Sequence, residues 1–199
     1  MNLTPTQVKE WIQFFQNEIP NHVTDTRWQH ILRVAFYAKE LALIHGYEDP
    51  EKAYLAGLCH DTTKQKKMEF HQSLFTEYHL TTDGIPFQAL HAYSAPLFLK
   101  KNYNFYDEEI QSAIQNHTLG NPNPSLLDQI LYAADFLGSD YCHRKMELED
   151  WFQKTKENLD FGIFMKAFQT ITFLMEKKEI IHPHTFFTYN QSLLSLKEI

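Results

Sequence analysis

The sequence predicts an all-α fold, a helical bundle with a C-terminal helical extension. Apolar residues recur at helical spacing along nearly the whole chain of 199 residues. Helix-start signals precede several of these stretches, and no segment resembles a linker, a repeat or a low-complexity block. A hydrophobic content of 43% is enough for a sizeable core in a chain of this length.

The first two helices carry clear start and stop signals. Thr4 is placed as an N-cap, with Pro5 at the first helical position and Gln7 closing a capping box. A second helix is predicted from about residue 25 to residue 45, where Gly46 supplies the stop. Both boundaries follow from local chemistry and need no tertiary contact.

A third helix and an irregular stretch follow. The helix begins with Asp49 as its cap and Pro50 at its first position, and it should end near the "TTK" at 62–64. The next stretch, "MEFHQSLFTEYHLTTDGIPFQ", has room for one short helix and contains one clear turn signal, Asp83-Gly84.

Three more helices are predicted in "QALHAYSAPLFLKK", "DEEIQSAIQNH" and "SLLDQILYAADFLGSDY". Ser125 and Asp128 form a capping pair at the start of the last one. Pro96 lies inside the first, and proline lacks the backbone N–H that a helix uses. We therefore expect a kink or a break at Pro96.

The last part of the chain predicts one amphipathic helix from Asp150 through Glu176, followed by the tail "IIHPHTFFTYNQSLL". Residues 1–199 are expected to form a single domain. Its core should span about residues 25–145, and the helical extension about residues 150–199.

Composition argues against several classes of protein. A formal net charge of -7 disfavours general nucleic-acid binding, which needs clustered Lys and Arg. No run is long enough for a membrane-spanning helix and the start lacks signal-peptide features, so we expect a cytoplasmic protein with no membrane partner. Cys59 and Cys142 form no C-x-x-C pair and are expected to be small core residues.

Ionisable residues stand on apolar helix faces at several points. Asp135 is the only charged residue of "QILYAADFLG", and a buried carboxylate is costly unless it is paired or binds a metal. His117 continues an apolar stripe formed by Ile110, Ala113 and Ile114. The full set contains four histidines and two aspartates on five helices: His30, His60, Asp61, His91, His117 and Asp135.

This combination favours a metal site over separate structural roles. Any one of the histidines, taken alone, is more often a hydrogen-bonded core residue. Independent core histidines, however, have no reason to accompany two aspartates on apolar faces. The other histidines lack this support: His45 is expected at a helix C-terminus, and the rest at the surface or in loops, namely His22, His71, His79, His143, His182 and His184.

The order of these residues resembles a known signature. A histidine, then the adjacent His60-Asp61, then a last aspartate is similar to the H...HD...D pattern of the HD-domain phosphohydrolases, an all-α metal-dependent superfamily. His91 and His117 resemble the pair that binds a second metal in some branches. More narrowly, the chain resembles the YqeK family of symmetrical bis(5'-nucleosyl)-tetraphosphatases through "RWQHILRVAFYAKELA", "AGLCHDTTK", "ALHAYSAP", "AIQNHTLG", "LLDQILYAADFL" and "EKKEIIHPHTFFTYN".

The resemblance implies two transition-metal ions, with iron first and manganese or zinc as alternatives. Mixed imidazole and carboxylate ligands without thiolate suit these metals. One ion would be held by His30, His60, Asp61 and Asp135, and the other by Asp61, His91 and His117. Since adjacent helical residues point about 100° apart, a bridging Asp61 requires the third helix to end or loosen there.

Cationic and polar residues beside these ligands are predicted to contact the substrate. Arg27 lies one turn before His30, and Lys64 one turn after His60, where each can meet phosphate oxygens. The family usually has Glu-Pro-x-Arg after its last aspartate; this chain has "FLGSDYCHR", so Arg144 is the nearest substitute. The predicted catalytic residues are Asp61 and Lys64, and the predicted substrate-binding residues are Arg27, Lys64, His91, Thr118 and Arg144.

The resemblance implies an enzyme that cleaves diadenosine tetraphosphate symmetrically to two ADP. Two ions about 3.5–4 Å apart can generate a bridging hydroxide near neutral pH and stabilise an in-line phosphoryl displacement. Two alternatives stay open: a hydrolase of another nucleotide or phosphate ester, and a non-catalytic protein that senses nucleotides. The expected partner is a dinucleoside polyphosphate or a nucleotide, and a homodimer is compatible with the sequence.

Overall fold

A computed structural model describes residues 3–197, and the regular structure of this range is helical, with no strand. The predicted all-α class is therefore confirmed. The helices are α1 (Pro5–Glu18), α2 (Asp25–Ile44), α3 (Pro50–Cys59), α4 (Met68–Glu77), α5 (Leu90–Tyr103), α6 (Glu108–Asn116), α7 (Leu126–Gly138), α8 (Asp140–His143), α9 (Leu148–Glu157), α10 (Leu159–Lys177) and α11 (Pro183–Lys197). Short 3-10 turns at Ile19–His22 and Phe87–Ala89 precede α2 and α5.

Helix α2 lies at the centre of the bundle. Helices α3 and α7 pack against it, and α1 and α6 pack against α3. On the other side, α10 packs against α7 and carries α9 and α11. Apolar side chains such as Val34, Leu58 and Leu131 are fully buried between these helices. The C-terminal helices thus pack on α7, the helix that carries Asp135.

Two glycines let α3 and α7 approach α2 closely. A Cβ atom added at Gly57 would lie 2.5 Å from Cα of Ala35, and one added at Gly138 would lie 2.6 Å from Cγ2 of Val34. Any side chain at these positions would push the helices apart, because the interior is close-packed. The C-terminal ends of α3 and α7 are therefore held against two consecutive residues of α2.

Replacing Gly57 by alanine is expected to lower the free energy of unfolding by about 1–3 kcal/mol, because the added methyl group meets backbone rather than a movable side chain. Urea unfolding measures this change. Ser73→Ala, on the exposed face of α4, is the control and should stay within about 0.5 kcal/mol of wild type. An unchanged stability of Gly57→Ala would contradict the close approach.

The predicted helix caps are found. The capping boxes at Thr4 and at Ser125 are both complete. Helix α2 ends with His45 as its C-cap, followed by Gly46 at a φ of +73°. His45 therefore lies at a helix C-terminus, as predicted. These termini are set by local side-chain to backbone bonds, which is why the sequence was sufficient to place them.

The single helix predicted from residue 150 to residue 176 is wrong, because the chain breaks into α9 and α10 at Asn158. This residue is extended, with a φ of -147°, and its side chain accepts a hydrogen bond from the backbone N–H of Asp160. Asparagine competes with the helix in this way and favours a cap over a helix interior.

Of the kink or break expected at Pro96, the break is absent, because α5 continues through it from Leu90 to Tyr103. Pro96 and its neighbours Ala95 and Leu99 are buried. Tertiary packing here outweighs the lost backbone hydrogen bond, since proline removes only one bond while its neighbours bury their apolar side chains.

Cys59 and Cys142 are both buried, as predicted for small core residues. Burial raises the pKa of the Cys142 thiol to about 11. Over residues 3–197, none of the helices has the length and apolar character that a membrane crossing requires.

Candidate metal centre

The six ionisable residues selected from the sequence lie together, where the ends of α3 and α6 meet α2, α5 and α7. They are His30 on α2, His60 and Asp61 at the end of α3, His91 on α5, His117 at the end of α6 and Asp135 on α7. Five of them are buried, and the Asp135 side chain is 19% exposed. Residues far apart in the chain thus form one buried cluster.

Helix α3 ends just before Asp61, as a carboxylate that bridges two metal ions requires. Its last residue is Cys59 and His60 is its C-cap. Beyond it, the backbone N–H of Lys64 donates to the carbonyl of Asp61 at 3.0 Å in a tight turn. Helix α3 therefore ends slightly before residues 62–64, near which the sequence predicts its end. Asp61 therefore leaves the helical path, and its carboxylate faces the cluster.

The Asp61 carboxylate lies between two pairs of histidines. Its Oδ2 atom is 3.5 Å from Nε2 of His30 and 3.6 Å from Nε2 of His60. Its Oδ1 atom is 3.1 Å from Nε2 of His91 and 3.7 Å from Nε2 of His117. Each oxygen therefore faces one pair, which is the arrangement a carboxylate needs in order to bridge two cations.

Three histidines are oriented by their own backbone surroundings. Nδ1 of His30 donates to the carbonyl of Gly138 at 3.1 Å, and Nδ1 of His60 donates to the carbonyl of Gly57 at 2.6 Å. Nδ1 of His117 donates in the same way to Ile114, at 2.6 Å. This pattern leaves the lone pair of each Nε2 facing the cluster, as in histidines that bind metals.

The Nε2 atoms face one another at short distances. Those of His30 and His60 are 3.3 Å apart, and those of His91 and His117 are 3.1 Å apart. Two lone pairs this close repel unless a proton or a cation lies between them. The donor set of each pair, imidazole nitrogen with carboxylate oxygen, fits a transition-metal ion.

Asp135 completes the first pair. Its Oδ1 atom is 3.2 Å from Nε2 of His30 and 3.6 Å from Nε2 of His60. Its Oδ2 atom points away from the histidines and accepts a hydrogen bond from Nζ of Lys166 at 2.7 Å. The two oxygens of this carboxylate thus have different partners.

Both carboxylates are held in the ionised form. Burial would raise the pKa of Asp61, but the surrounding histidines, His60 first, lower it well below its usual range. Burial would likewise raise the pKa of Asp135, but the Lys166 ammonium keeps it well below its usual range. The cluster therefore carries two negative charges at neutral pH.

The histidines differ in their pKa. Burial, together with the nearby Lys64 ammonium, lowers the pKa of His91 to about 3. Burial also lowers the pKa of His117. At His60 burial opposes the charged form, but the negative charge of Asp61 raises its pKa. A proton on His60 and a metal ion would therefore compete for one place, since a ligand nitrogen must be deprotonated.

A cleft of about 1220 Å³ opens onto this cluster. Arg27 and Lys64, both predicted to bind substrate, line it. Nη1 of Arg27 donates to Oδ2 of Asp61 at 3.0 Å. Among the described residues, the contacts of Lys64 Nζ are long: 3.4 Å to the carbonyl of Gln88, and 3.4 and 3.3 Å to Nδ1 and Nε2 of His91. Lys64 is therefore the freer of the two cations.

Of the other residues predicted to contact the substrate, two lie at the cluster and one lies away from the cleft. His91 lies in the cluster, and Oγ1 of Thr118 is 3.2 Å from its Nε2 and lines the cleft. Arg144 is exposed at the end of α8. It is not among the residues of the described range that line the cleft. Its role in binding substrate stays a prediction. Tyr141, from the same segment, does line the cleft.

His71, expected at the surface or in a loop, is buried on α4, so that expectation is wrong. Its Nδ1 lies 2.9 Å from Oγ of Ser94, which in turn is 2.8 Å from Oγ1 of Thr63. His71 shares a helix face with buried Leu74 and Phe75. The spacing of His71, Leu74 and Phe75 indicates one buried helix face, but the irregular composition of the stretch made this pattern hard to detect.

Lys166 is the residue that the sequence interpretation missed. It lies on α10, is 8% exposed and contacts both Asp135 and the backbone of His117. A signal was available, since Lys166 is a charged residue on a face shared with buried Leu159 and Ile163. A buried lysine, like a buried aspartate, needs a charged or polar partner.

An all-α bundle with a buried histidine and aspartate cluster of this order defines the class of HD-domain proteins. The HD domain family model matches residues 27–138, and the chain belongs to this family. Proteins of this class are metal-dependent hydrolases, and two groups of His and Asp ligand atoms here are compact enough to hold metal ions.

The narrower relationship is to the symmetrical bis(5'-nucleosyl)-tetraphosphatases. A protein of this name from Halalkalibacterium halodurans is 34% identical over 179 residues, covering 88% of this chain and 94% of the relative. Another of the same name, from Bacillus subtilis, is 32% identical over 177 residues, covering 86% and 92%. The resemblance seen in the motifs is thereby confirmed.

A solved structure agrees with this relationship. It is a crystal structure of a predicted HD superfamily hydrolase involved in NAD metabolism from Clostridium acetobutylicum. The two chains are 25% identical, with a TM-score of 0.77 over 98% of this chain and 100% of the other. The similarity therefore includes the C-terminal helices, which lie beyond the HD match.

Proposed function

We propose that this protein hydrolyses diadenosine tetraphosphate symmetrically to two ADP at a centre of two transition-metal ions. One observation carries the proposal: the two oxygens of Asp61 face two separate histidine pairs at the floor of a cleft lined with cations. The names of the relatives, symmetrical bis(5'-nucleosyl)-tetraphosphatases, support this choice of substrate.

The six clustered residues are the proposed ligands. One ion is assigned to His30, His60, Asp61 and Asp135, and the other to Asp61, His91 and His117. Iron is the first choice of metal, with manganese and zinc as alternatives, because the donors are imidazole and carboxylate without thiolate. When bound, such ions supply Lewis acidity and activate water for attack on phosphorus.

The cleft residues orient the tetraphosphate. Lys64 binds phosphate oxygens on the side of His91, and Arg27 does so on the side of His30, next to Asp61. This places the central P–O–P linkage over the cluster. Water adds to one of the two central phosphorus atoms, and the bond to the bridging oxygen breaks with its electrons. That oxygen stays on the second ADP, and the two hydrogen atoms of the water leave as two protons when both products are fully ionised ADP.

Two aromatic residues that line the cleft, Phe87 and Tyr141, support a substrate with two nucleosides. Phe87 directly precedes Gln88, whose carbonyl oxygen is 3.4 Å from Nζ of Lys64. Tyr141 follows Asp140, which is bound to Arg33 at 2.6 Å beside α2. Both rings are partly exposed, at 50% and 42%. A volume of about 1220 Å³ also exceeds the roughly 300–1,000 Å³ of ordinary small-ligand pockets.

The test of the proposal is product identification. Metal-loaded protein is incubated with diadenosine tetraphosphate, and the nucleotides are separated by anion-exchange chromatography. ADP is the expected product. Release of AMP with ATP would contradict symmetrical cleavage, and the absence of any product, with another nucleotide of a panel cleaved instead, would contradict the substrate.

Replacing Lys64 by methionine is expected to raise KM for diadenosine tetraphosphate about tenfold, because a charge-assisted bond to phosphate is lost in a partly buried place. Steady-state kinetics measure the change. Lys67→Met is the matched control, since Lys67 is exposed and is absent from the cleft lining of residues 3–197. An unchanged KM in Lys64→Met would refute the phosphate contact.

Three further expectations concern domain number, oligomeric state and cellular location. A single domain, a homodimer and a cytoplasmic location stay predictions. Size-exclusion chromatography with light scattering gives the oligomeric state, and a mass of about twice 23.6 kDa would support the dimer.

A further inference from the structure

Lys166 belongs to the C-terminal helices, outside the residues that match the HD domain. It is nevertheless in contact with the cluster. Its side chain is 10% exposed and enters between α7 and the end of α6. Its ammonium group donates to Oδ2 of Asp135 at 2.7 Å and to the backbone carbonyl of His117.

The ammonium group has little capacity left for another partner. Its third neighbour is the face of the Tyr132 ring, whose centroid is 4.1 Å from Nζ. A carboxylate, a carbonyl and an aromatic face together account for the three N–H groups of a lysine. Both lysines line the cleft, but within residues 3–197 the contacts of Lys64 Nζ are all long, at 3.3–3.4 Å. Lys166 is thus unsuited to binding phosphate.

We propose that Lys166 is a positioning residue that fixes Asp135 for metal binding and joins the two halves of the centre. By holding Oδ2, it directs Oδ1 toward Nε2 of His30, 3.2 Å away. By holding the carbonyl of His117, it ties that half of the centre to Asp135. The inference rests on the metal centre proposed above. It makes the C-terminal extension a part of the active site.

If Lys166 acted only through its positive charge, its removal would change metal affinity in the opposite direction from the one that a positioning role predicts. A fixed ammonium ion beside a cation site repels the cation, so its removal should strengthen metal binding if charge were its only effect. If Lys166 orients the ligand, its removal should weaken metal binding instead. Loss of a group that orients a metal ligand typically costs about 10- to 100-fold in affinity. The direction of the change therefore distinguishes the two.

The experiment titrates metal-stripped protein with Mn²⁺ and follows binding by calorimetry, so it does not depend on activity. Lys166→Met is expected to weaken the binding of Mn²⁺ about 10- to 100-fold. Lys52→Met is the matched control, because Lys52 is an equally buried lysine that pairs with Asp107 and Glu109 away from the cluster. It is expected to retain wild-type affinity for Mn²⁺.

A double-mutant cycle tests whether Lys166 acts through Asp135. In an Asp135→Asn background, Lys166→Met should cause little further loss of affinity. Lys166→Arg keeps a cationic donor and should retain most of the affinity. Lys166→Gln, which removes the charge but keeps a polar side chain, replaces Lys166→Met in the cycle if circular dichroism shows the latter unfolded. Two results would overturn the proposal. One is a folded Lys166→Met variant that binds Mn²⁺ as tightly as wild type or more tightly. The other is a loss of Mn²⁺ affinity on Lys166→Met that is as large in the Asp135→Asn background as in wild type. Wild-type protein that binds no Mn²⁺ would instead refute the metal centre.

Discussion

Replacing Asp61 by asparagine is expected to remove both metal ions and reduce hydrolysis of diadenosine tetraphosphate by more than about 100-fold, the upper range for loss of a group that merely orients a ligand. The size of the side chain is kept, but one oxygen and the negative charge are lost. Since each oxygen of Asp61 faces a different histidine pair, the change affects both halves of the centre.

Elemental analysis and initial rates measure this result. Asp140→Asn is the control for metal content, because Asp140 also lines the cleft but is bound to Arg33 at 2.6 Å. It should keep the metal content of the wild type. An Asp61→Asn protein that retained two ions would show that the centre is held by other residues.

Removal of the metal ions by a chelator is expected to abolish activity and to lower the free energy of unfolding. An ion present at about 100 times its Kd stabilises the folded state by about 2.7 kcal/mol, and this contribution disappears with the ion. The protein should nevertheless stay folded. Arg27 and Lys166 each pair with one carboxylate of the cluster, at 3.0 and 2.7 Å, and so limit the repulsion between the two negative charges.

Thermal and urea unfolding with and without chelator measure the effect, and addition of Fe²⁺ or Mn²⁺ should reverse it. Unfolding of the Lys67→Met variant, which changes an exposed lysine, should respond to the chelator as wild type does. A stability that does not change with metal would mean that the cluster binds ions weakly or not at all.

Much of the fold and the whole cluster could be predicted because their signals are local. The caps at Thr4 and Ser125 depend on residues within one turn. The cluster was found because a charged or polar residue on an apolar face needs a partner, as Asp135 shows. A bridging Asp61 requires α3 to end or loosen at that residue, and the helix ends two residues earlier, at Cys59.

The role of Lys166 and the continuity of α5 depend on contacts between distant residues, whereas the break at Asn158 depends on a local hydrogen bond. Nothing near Lys166 in the chain announces Asp135 as its partner, 31 residues away. Pro96 is tolerated because core packing of α5 outweighs a local rule. The apolar spacing around Asn158 predicts one continuous helix, but the Asn158 side chain caps α10. Local propensity is a weak guide where tertiary packing or a competing hydrogen bond decides.

The central claim is that two metal ions at this cluster perform symmetrical cleavage. The direct measurement adds Mn²⁺ stepwise to metal-stripped protein and records the initial rate of ADP formation from diadenosine tetraphosphate. We expect the rate to rise until two equivalents are bound and then to level off, with ADP as the product throughout. A rate that is maximal at one equivalent or is independent of metal, or AMP and ATP as products, would contradict the claim.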